Sequence, residues 1–322
     1  MTLATIASTL IALLLATALG AIGYFVYVTQ RIARRAEAAV PPVGEFIDVD
    51  GNRIHYVDEG AGRPILFVHG LGGTLHHFRQ PLFGRLDGFR LIAIDRPGAG
   101  YSTRVPGATG RLPEQAALVA KFIDRLGLEK PLVVGHSLGG MITLTVALNH
   151  PEKISGIVLL AALTRHRDGV PPEMAPIYIR SKLKRWIMAQ TVAIPAALKF
   201  APQTLAYVFG PQATPERYMT EGGGWLGLRP GHFYAMVTDL VAVAEDMPDL
   251  QRRFGEIDMP AGMAFGTADR VLSYAENGDA FRARVRDLDF EMLDGIGHHP
   301  QYGATDKVVA LIRRVAARAF AA

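Results

Sequence analysis

The chain has 322 residues, of which 49% are hydrophobic and 20% charged, and a net charge of +4. This describes a folded protein with a sizeable core, one large α/β domain with additions or two domains, and excludes a disordered chain. The lack of cysteine excludes a disulfide framework, a thiol nucleophile and cysteine metal sites while fixing no compartment, and no basic strip with interleaved aromatics points to nucleic acid.

Thr2 to Gln30 carries no charged residue and includes the apolar run Leu10 to Gly20. It exceeds the roughly 20 apolar residues that span a bilayer, and Tyr24, Phe25 and Tyr27 stand where an interfacial aromatic belt belongs. A cleaved signal peptide usually has a basic region before its apolar core; here the cations, Arg31, Arg34 and Arg35, follow it. Residues 1–30 are therefore expected to be an uncleaved single-pass anchor. The positive-inside rule places the remainder of the chain in the cytoplasm. Residues 31–44, with Pro41 and Pro42, are expected to be a semi-rigid linker.

Residues 45–57 alternate apolar and polar about Asp50-Gly51-Asn52, a β-hairpin pattern. Residues 64–68 read as a buried strand ending in His69-Gly70-Leu71-Gly72-Gly73, and residues 90–94 as another ending in Asp95 to Ser102. Residues 113–126 have helical spacing, with Gly127 as a stop. The apolar run Leu132 to Val134 leads into Gly135-His136-Ser137-Leu138-Gly139, and residues 140–148 read as helix. Further strands are expected at 154–160, 261–265 and 288–292. Strands alternating with helices predict a mostly parallel sheet with right-handed crossovers.

Between residues 164 and 258 strand-like runs disappear, and helical segments rich in Met, aromatics, Arg and Lys suggest a helical cap over the strand C-terminal ends. Arg180 to Met188 mixes basic and apolar residues. It suits either an anionic membrane surface or a solvated helix with its apolar side on the core, the latter being preferred. Glu221 to Trp225 is a hinge or an ordinary loop.

A strand that turns abruptly into a helix strains the residue at the turn and throws its side chain outward. The flanking glycines spare the turn a Cβ clash. A serine so placed can attack a carbonyl while the next backbone N–H holds the developing oxyanion. Ser137 is the expected nucleophile. It needs a base, and among the ten histidines His298, in the loop Asp294 to Pro300, suits the role, with His299 its rival on chemistry alone. Asp269, after strand 261–265, suits the acid that fixes the base's tautomer, and Asp168 is the next acid to consider. The chain order Ser137, Asp269, His298 is the one expected for this fold.

Together, His69-Gly70, Asp95-x-x-Gly98-x-Gly100-x-Ser102, Gly135 to Gly139, Gly266-x-x-Asp269 and Gly297-His298-x-Pro300 resemble the α/β-hydrolase fold family from about Val43 to Phe320. The resemblance implies an α/β core in two parts, residues 45–163 and 259–322, interrupted by a cap at 164–258. It favours His298 over His299, implies an oxyanion hole from the backbone N–H groups of Leu71 and Leu138, and makes Asp95 to Ser102 mainly a structural turn. It requires no metal or organic cofactor. Relatives that use an aspartate nucleophile, the epoxide hydrolases and haloalkane dehalogenases, are disfavoured by Ser137. What remains is a membrane-anchored serine hydrolase acting on small-molecule or lipid-like carboxylic esters, resembling esterases and monoacylglycerol lipases. The alternatives are a low-turnover binding or sensor protein, a C–C hydrolase or a perhydrolase. The 27 arginines to 7 lysines suggest a bacterial source.

Overall fold

The computed structural model describes residues 2–167 and 169–321; Asp168 lies outside the described residues. The apolar N-terminal stretch forms α1 (Leu3–Ala39), capped by the Thr2 hydroxyl, which accepts from the Thr5 N–H at 3.3 Å. Residues 2–24 are exposed throughout, and α1 is long and apolar enough to cross a membrane. The helix does not stop at residue 30. It runs to Ala39, so residues 31–39, expected in a linker, are helical. Ala, Arg and Glu, which dominate Arg31 to Ala39, are strong helix formers, and the helix ends just before Pro41, whose ring disfavours helix in the residue preceding it.

The C-terminal part of α1, from Thr29 onward, fixes the helix to the body. Thr29, Ala33 and Ala36 are buried; the Thr29 hydroxyl donates to the Thr191 carbonyl at 2.5 Å, Gln30 bonds Gln190 at 3.1 Å, and Glu37 pairs with Arg229 at 2.8 Å. Deleting residues 1–35 would thus strip a packed helical turn, whereas a cut at Tyr24 would not.

The sheet has eight strands: β1 (Glu45–Val49), β2 (Asn52–Gly60), β3 (Arg63–Val68), β4 (Phe89–Ile94), β5 (Leu132–His136), β6 (Gly156–Leu160), β7 (Ala261–Gly266) and β8 (Asp289–Leu293), in the order β1-β2-β4-β3-β5-β6-β7-β8. β2 runs antiparallel to β1 and β4, and the remaining pairs are parallel. Side chains alternate across the pleat, and both faces are covered, which explains why the central strands read as unbroken apolar runs. Leu66, Val68, Ile92, Val133 and Ile157 pack with α3 (Leu112–Arg125) and α4 (Leu138–Asn149). On the other face Ile65, Phe67, Leu91, Val134 and Val158 pack with α2 (His76–Leu82) and the C-terminal helix at Thr305–Ala319.

Between β6 and β7 the chain forms α5 (Lys182–Gln190), α6 (Ala193–Phe209) and α7 (Pro230–Arg252), followed after β8 by the C-terminal helix, α8 (Thr305–Ala319). Ala189, Ala193, Ile194, Leu228, Phe233 and Val237 give the insert a small core of its own, on which Ile32 of α1 packs. α5 reverses the preferred reading of its segment. Arg185 is turned inward, donating to the Ile179 carbonyl at 2.9 Å and the Thr238 hydroxyl at 2.5 Å. The apolar Leu183, Trp186 and Ile187 face out. Arg185 and Ala189 are four residues apart and so share the inward face; acceptors there satisfy the guanidinium and make its burial tolerable.

Candidate active site

Ser137 stands between β5 and α4 with φ +53° and ψ −120°. A non-glycine residue in this region is strained, and the structure holds it from both sides. Its N–H donates to the Leu160 carbonyl and its carbonyl accepts from Leu163, each at 3.0 Å. A Cβ on Gly135 would lie 2.4 Å from the Gly139 carbonyl oxygen, and one on Gly139 2.1 Å from that of Val68. These glycines let the helix start against the sheet.

His298 and Asp269 come to Ser137 from two other loops. Asp269 follows β7 and His298 follows β8. The loops are tied by the Ala268 N–H donating to the Ile296 carbonyl at 3.0 Å, and a Cβ on Gly266 would meet that carbonyl oxygen at 2.1 Å. His298 Nδ1 lies 2.8 Å from Asp269 Oδ2, and His298 Nε2 lies 3.0 Å from Ser137 Oγ. A carboxylate only accepts, so the proton sits on Nδ1, and the Nε2 lone pair faces the serine hydroxyl. Asp269 Oδ1 accepts from the Val271 and Leu272 N–H groups at 2.7 and 3.0 Å. The Asp269 side chain has no exposed surface. His299 points elsewhere: its ring stacks on Phe209 with centroids 4.4 Å apart.

Ser137 opens into a cavity of about 270 Å³ between the sheet and the insert. Leu71 and Leu138 line it beside the serine. Leu138 is the first residue of α4, where N–H groups have no intrahelical partner. The remaining wall is largely apolar, with Leu163, Met174, Leu240, Val243 and Met247, while Arg165 and Arg167 add charge.

Buried polar groups brace the loop around Leu71. Arg96 donates to the His69 carbonyl at 2.9 Å and the Gly70 carbonyl at 3.0 Å, and pairs with Asp239 of α7 at 2.6 Å. Arg104 meets the other Asp239 oxygen at 2.5 Å. The insert and the loop are thus joined through one buried carboxylate. Asp95 performs the same service for the turn from Asp95 to Ser102. It bonds His55 at 2.7 Å and accepts from the Leu75 and Tyr101 N–H groups, each at 2.9 Å. Burial pushes the Asp95 carboxyl up, but its hydrogen bonds to His55 and to the Tyr101 N–H prevail and hold it at about 2.

Among the described residues, His77, His136 and His299 each place one ring nitrogen within 4.8 Å of the others. The rings of His136 and His299 lie nearly parallel, 27° apart, so their in-plane lone pairs run side by side, a poor arrangement for a shared ion. Burial, the largest influence on each, lowers the pKa of His69, His76, His136 and His299, and brings His77 to about 3 and His232 to about 4. Unfolded histidine titrates near 6.5. Between that pH and the folded values the unfolded chain binds more protons, so this stability is complete above pH 6.5 and is lost as pH falls towards 3 to 4. Each such histidine is expected to cost about 1.4 kcal/mol per pH unit in that window. Denaturant midpoints measured from pH 8 to pH 4.5 should fall steeply below 6.5; a flat profile would show that these rings are not held neutral.

A family model described as the alpha/beta hydrolase fold matches residues 63–200. The chain is an α/β-hydrolase-fold protein. Over 256 residues it is 28% identical to the 2-hydroxy-6-oxononadienedioate/2-hydroxy-6-oxononatrienedioate hydrolase of Paraburkholderia phymatum, covering 78% of this chain and 86% of that protein. Over 119 residues it is 37% identical to haloalkane dehalogenase 2 of Mycobacterium bovis, covering 37% of this chain. The match spans 42% of that dehalogenase, and only 31% of another curated relative. The crystal structure of a membrane phospholipase A superposes with a TM-score of 0.66 at 20% identity, covering 97% of this chain and 98% of that one. The shared fold therefore includes most of α1.

Proposed function

We propose that this α/β-hydrolase-fold protein is a membrane-anchored serine hydrolase of lipid-like carboxylic monoesters, with α1 as the anchor and residues 164–258 as the cap. The reading rests above all on the Ser137–His298–Asp269 hydrogen-bonded chain at the floor of an apolar cavity. His298 Nε2 takes the Ser137 proton as Oγ attacks the ester carbonyl carbon. The negative charge moves to the carbonyl oxygen, where the Leu71 and Leu138 N–H groups donate to it. The C–O bond then breaks, and His298 passes its proton to the departing alcohol. A water activated by the same imidazole releases the acid and restores the serine. The Asp269 carboxylate accepts from His298 Nδ1 and steadies the imidazolium that forms in each half-reaction.

The apolar wall and the anchor favour an acyl chain over a hydrophilic acid. Arg31, Arg34 and Arg35, in the last turns of α1 beyond its apolar part, favour a cytoplasmic catalytic domain. A second reading, a C–C hydrolase of a dicarboxylate, is favoured by the identity to the Paraburkholderia enzyme across most of both chains and by Arg165 and Arg167 at the cavity. The full chain in detergent micelles, assayed on p-nitrophenyl esters and monoacylglycerols of increasing length, decides between them. The expected kcat/KM rises with chain length until the cavity is filled, then falls. Cleavage of a dienedioate with no ester turnover would replace the ester reading with the second.

A further inference from the structure

Among the described residues, five of the six exposed large apolar side chains outside α1 lie on or at the start of α5 and α6, the sixth being Met292 of β8. Leu183, Trp186 and Ile187 on α5 are 67%, 55% and 45% exposed, and Val192 and Phe200, at the start and on the outer side of α6, are 38% and 52% exposed. Water is a poor partner for such a patch, and contiguous exposed apolar surface marks an interaction site. Its charge is one-sided. No Asp or Glu occurs between Glu173 and Glu216, a stretch that carries Arg180, Lys182, Lys184, Arg185 and Lys199. Arg185 is turned inward, and the other four are exposed.

The position of the patch identifies its partner. α5 and α6 meet in an elbow bent by 74°, and this elbow is where α1 is bolted on, through Thr29 to Thr191 and Gln30 to Gln190. Thr29 is five residues beyond Tyr24, about 8 Å along the helix axis. The headgroup layer on each side of a bilayer core is of the same depth, roughly 5 to 8 Å. If α1 crosses the membrane as proposed above, the elbow stands at the headgroup boundary, its apolar side chains at the lipid and its cations at the phosphates. Tryptophan with flanking lysines is the composition of a surface-lying helix.

We propose that the outer face of α5 and the adjoining side of α6 form a second membrane contact, bedded in the headgroup boundary of an anionic phospholipid bilayer beside the root of α1. This rests on the anchor reading given under Proposed function. Gly169 to Tyr178, which contributes to the cavity wall, leads into α5, so the contact brings that wall close to the lipid that carries the ester.

The chain has two tryptophans. Trp225 is half-buried beneath Arg35, with the guanidinium 5.7 Å from the ring. The full-length Trp225→Phe protein, reconstituted in vesicles containing anionic phospholipid, therefore reports on Trp186 alone. The expected result is quenching by lipids brominated near the headgroup end of the chain, weaker quenching by bromine at the chain end, and shielding from aqueous iodide. If Trp225→Phe fails to fold, the difference between wild type and Trp186→Phe reads the same signal. Protein that floats with the vesicles but leaves Trp186 open to iodide and untouched by bromolipid overturns the proposal and leaves the anchor standing. Shielding from iodide without bromolipid quenching means that a second copy covers the patch, which also overturns it. Failure to float overturns the anchor reading and this proposal with it.

Discussion

Ser137→Ala is expected to lower ester turnover by about a million-fold, the loss seen when a nucleophile acting with its base and acid is removed. KM should change little, because the cavity wall is untouched. The substitution is a clean test because the backbone strain resides in the φ of +53°, and alanine keeps the same Cβ. Among the described residues, the side-chain bond lost is the one to His298, so the Tm should remain within a few degrees of wild type. Retained turnover in a folded Ser137→Ala protein would remove the nucleophile from the account.

Asp269→Asn is expected to cost about ten-thousand-fold in kcat. The structure gives the reason in atomic terms. Oδ1 of Asp269 is held by two backbone donors, Val271 and Leu272, which will accept only an oxygen opposite them. An asparagine must therefore point its NH₂ at His298 Nδ1. The imidazole then becomes an acceptor there and carries its proton on Nε2, facing the serine as a donor instead of a base. The loop itself is preserved, so KM and Tm should hold while kcat collapses. Near-normal turnover would mean that another acid orients His298, with Asp168 the first to examine by the same substitution.

Much of this was legible because the motifs announce their own geometry. A strand, a glycine-flanked serine and a helix in succession leave few conformations, and Ser137 lies at the turn that pattern predicts. Sequence could also place Asp269 and His298 after strands whose parallel register delivers their loops to one edge. What it could not give is the partner of each polar group. Arg96 reaches Asp239, 143 residues away, to lock the His69-Gly70 carbonyls, and no local pattern encodes such a pair. The α1 extension was missed because Arg31 to Ala39 lost the apolar character of the anchor while keeping its helix propensity. α5 was read inside out for a related reason: an arginine with carbonyl and hydroxyl acceptors waiting is buried more readily than composition suggests, and here it displaces Leu183 and Trp186 to the surface.

The most direct test of the central claim is labelling of the full chain with a fluorophosphonate probe, wild type beside Ser137→Ala, with lipid-like monoesters as competitors. A phosphonyl adduct forms only on an activated serine hydroxyl. The expected result is rapid labelling of wild type, none of Ser137→Ala, and protection that strengthens with acyl length. Well-folded wild type that takes up no label in the presence of membrane would contradict the account and leave a hydrolase fold used for binding.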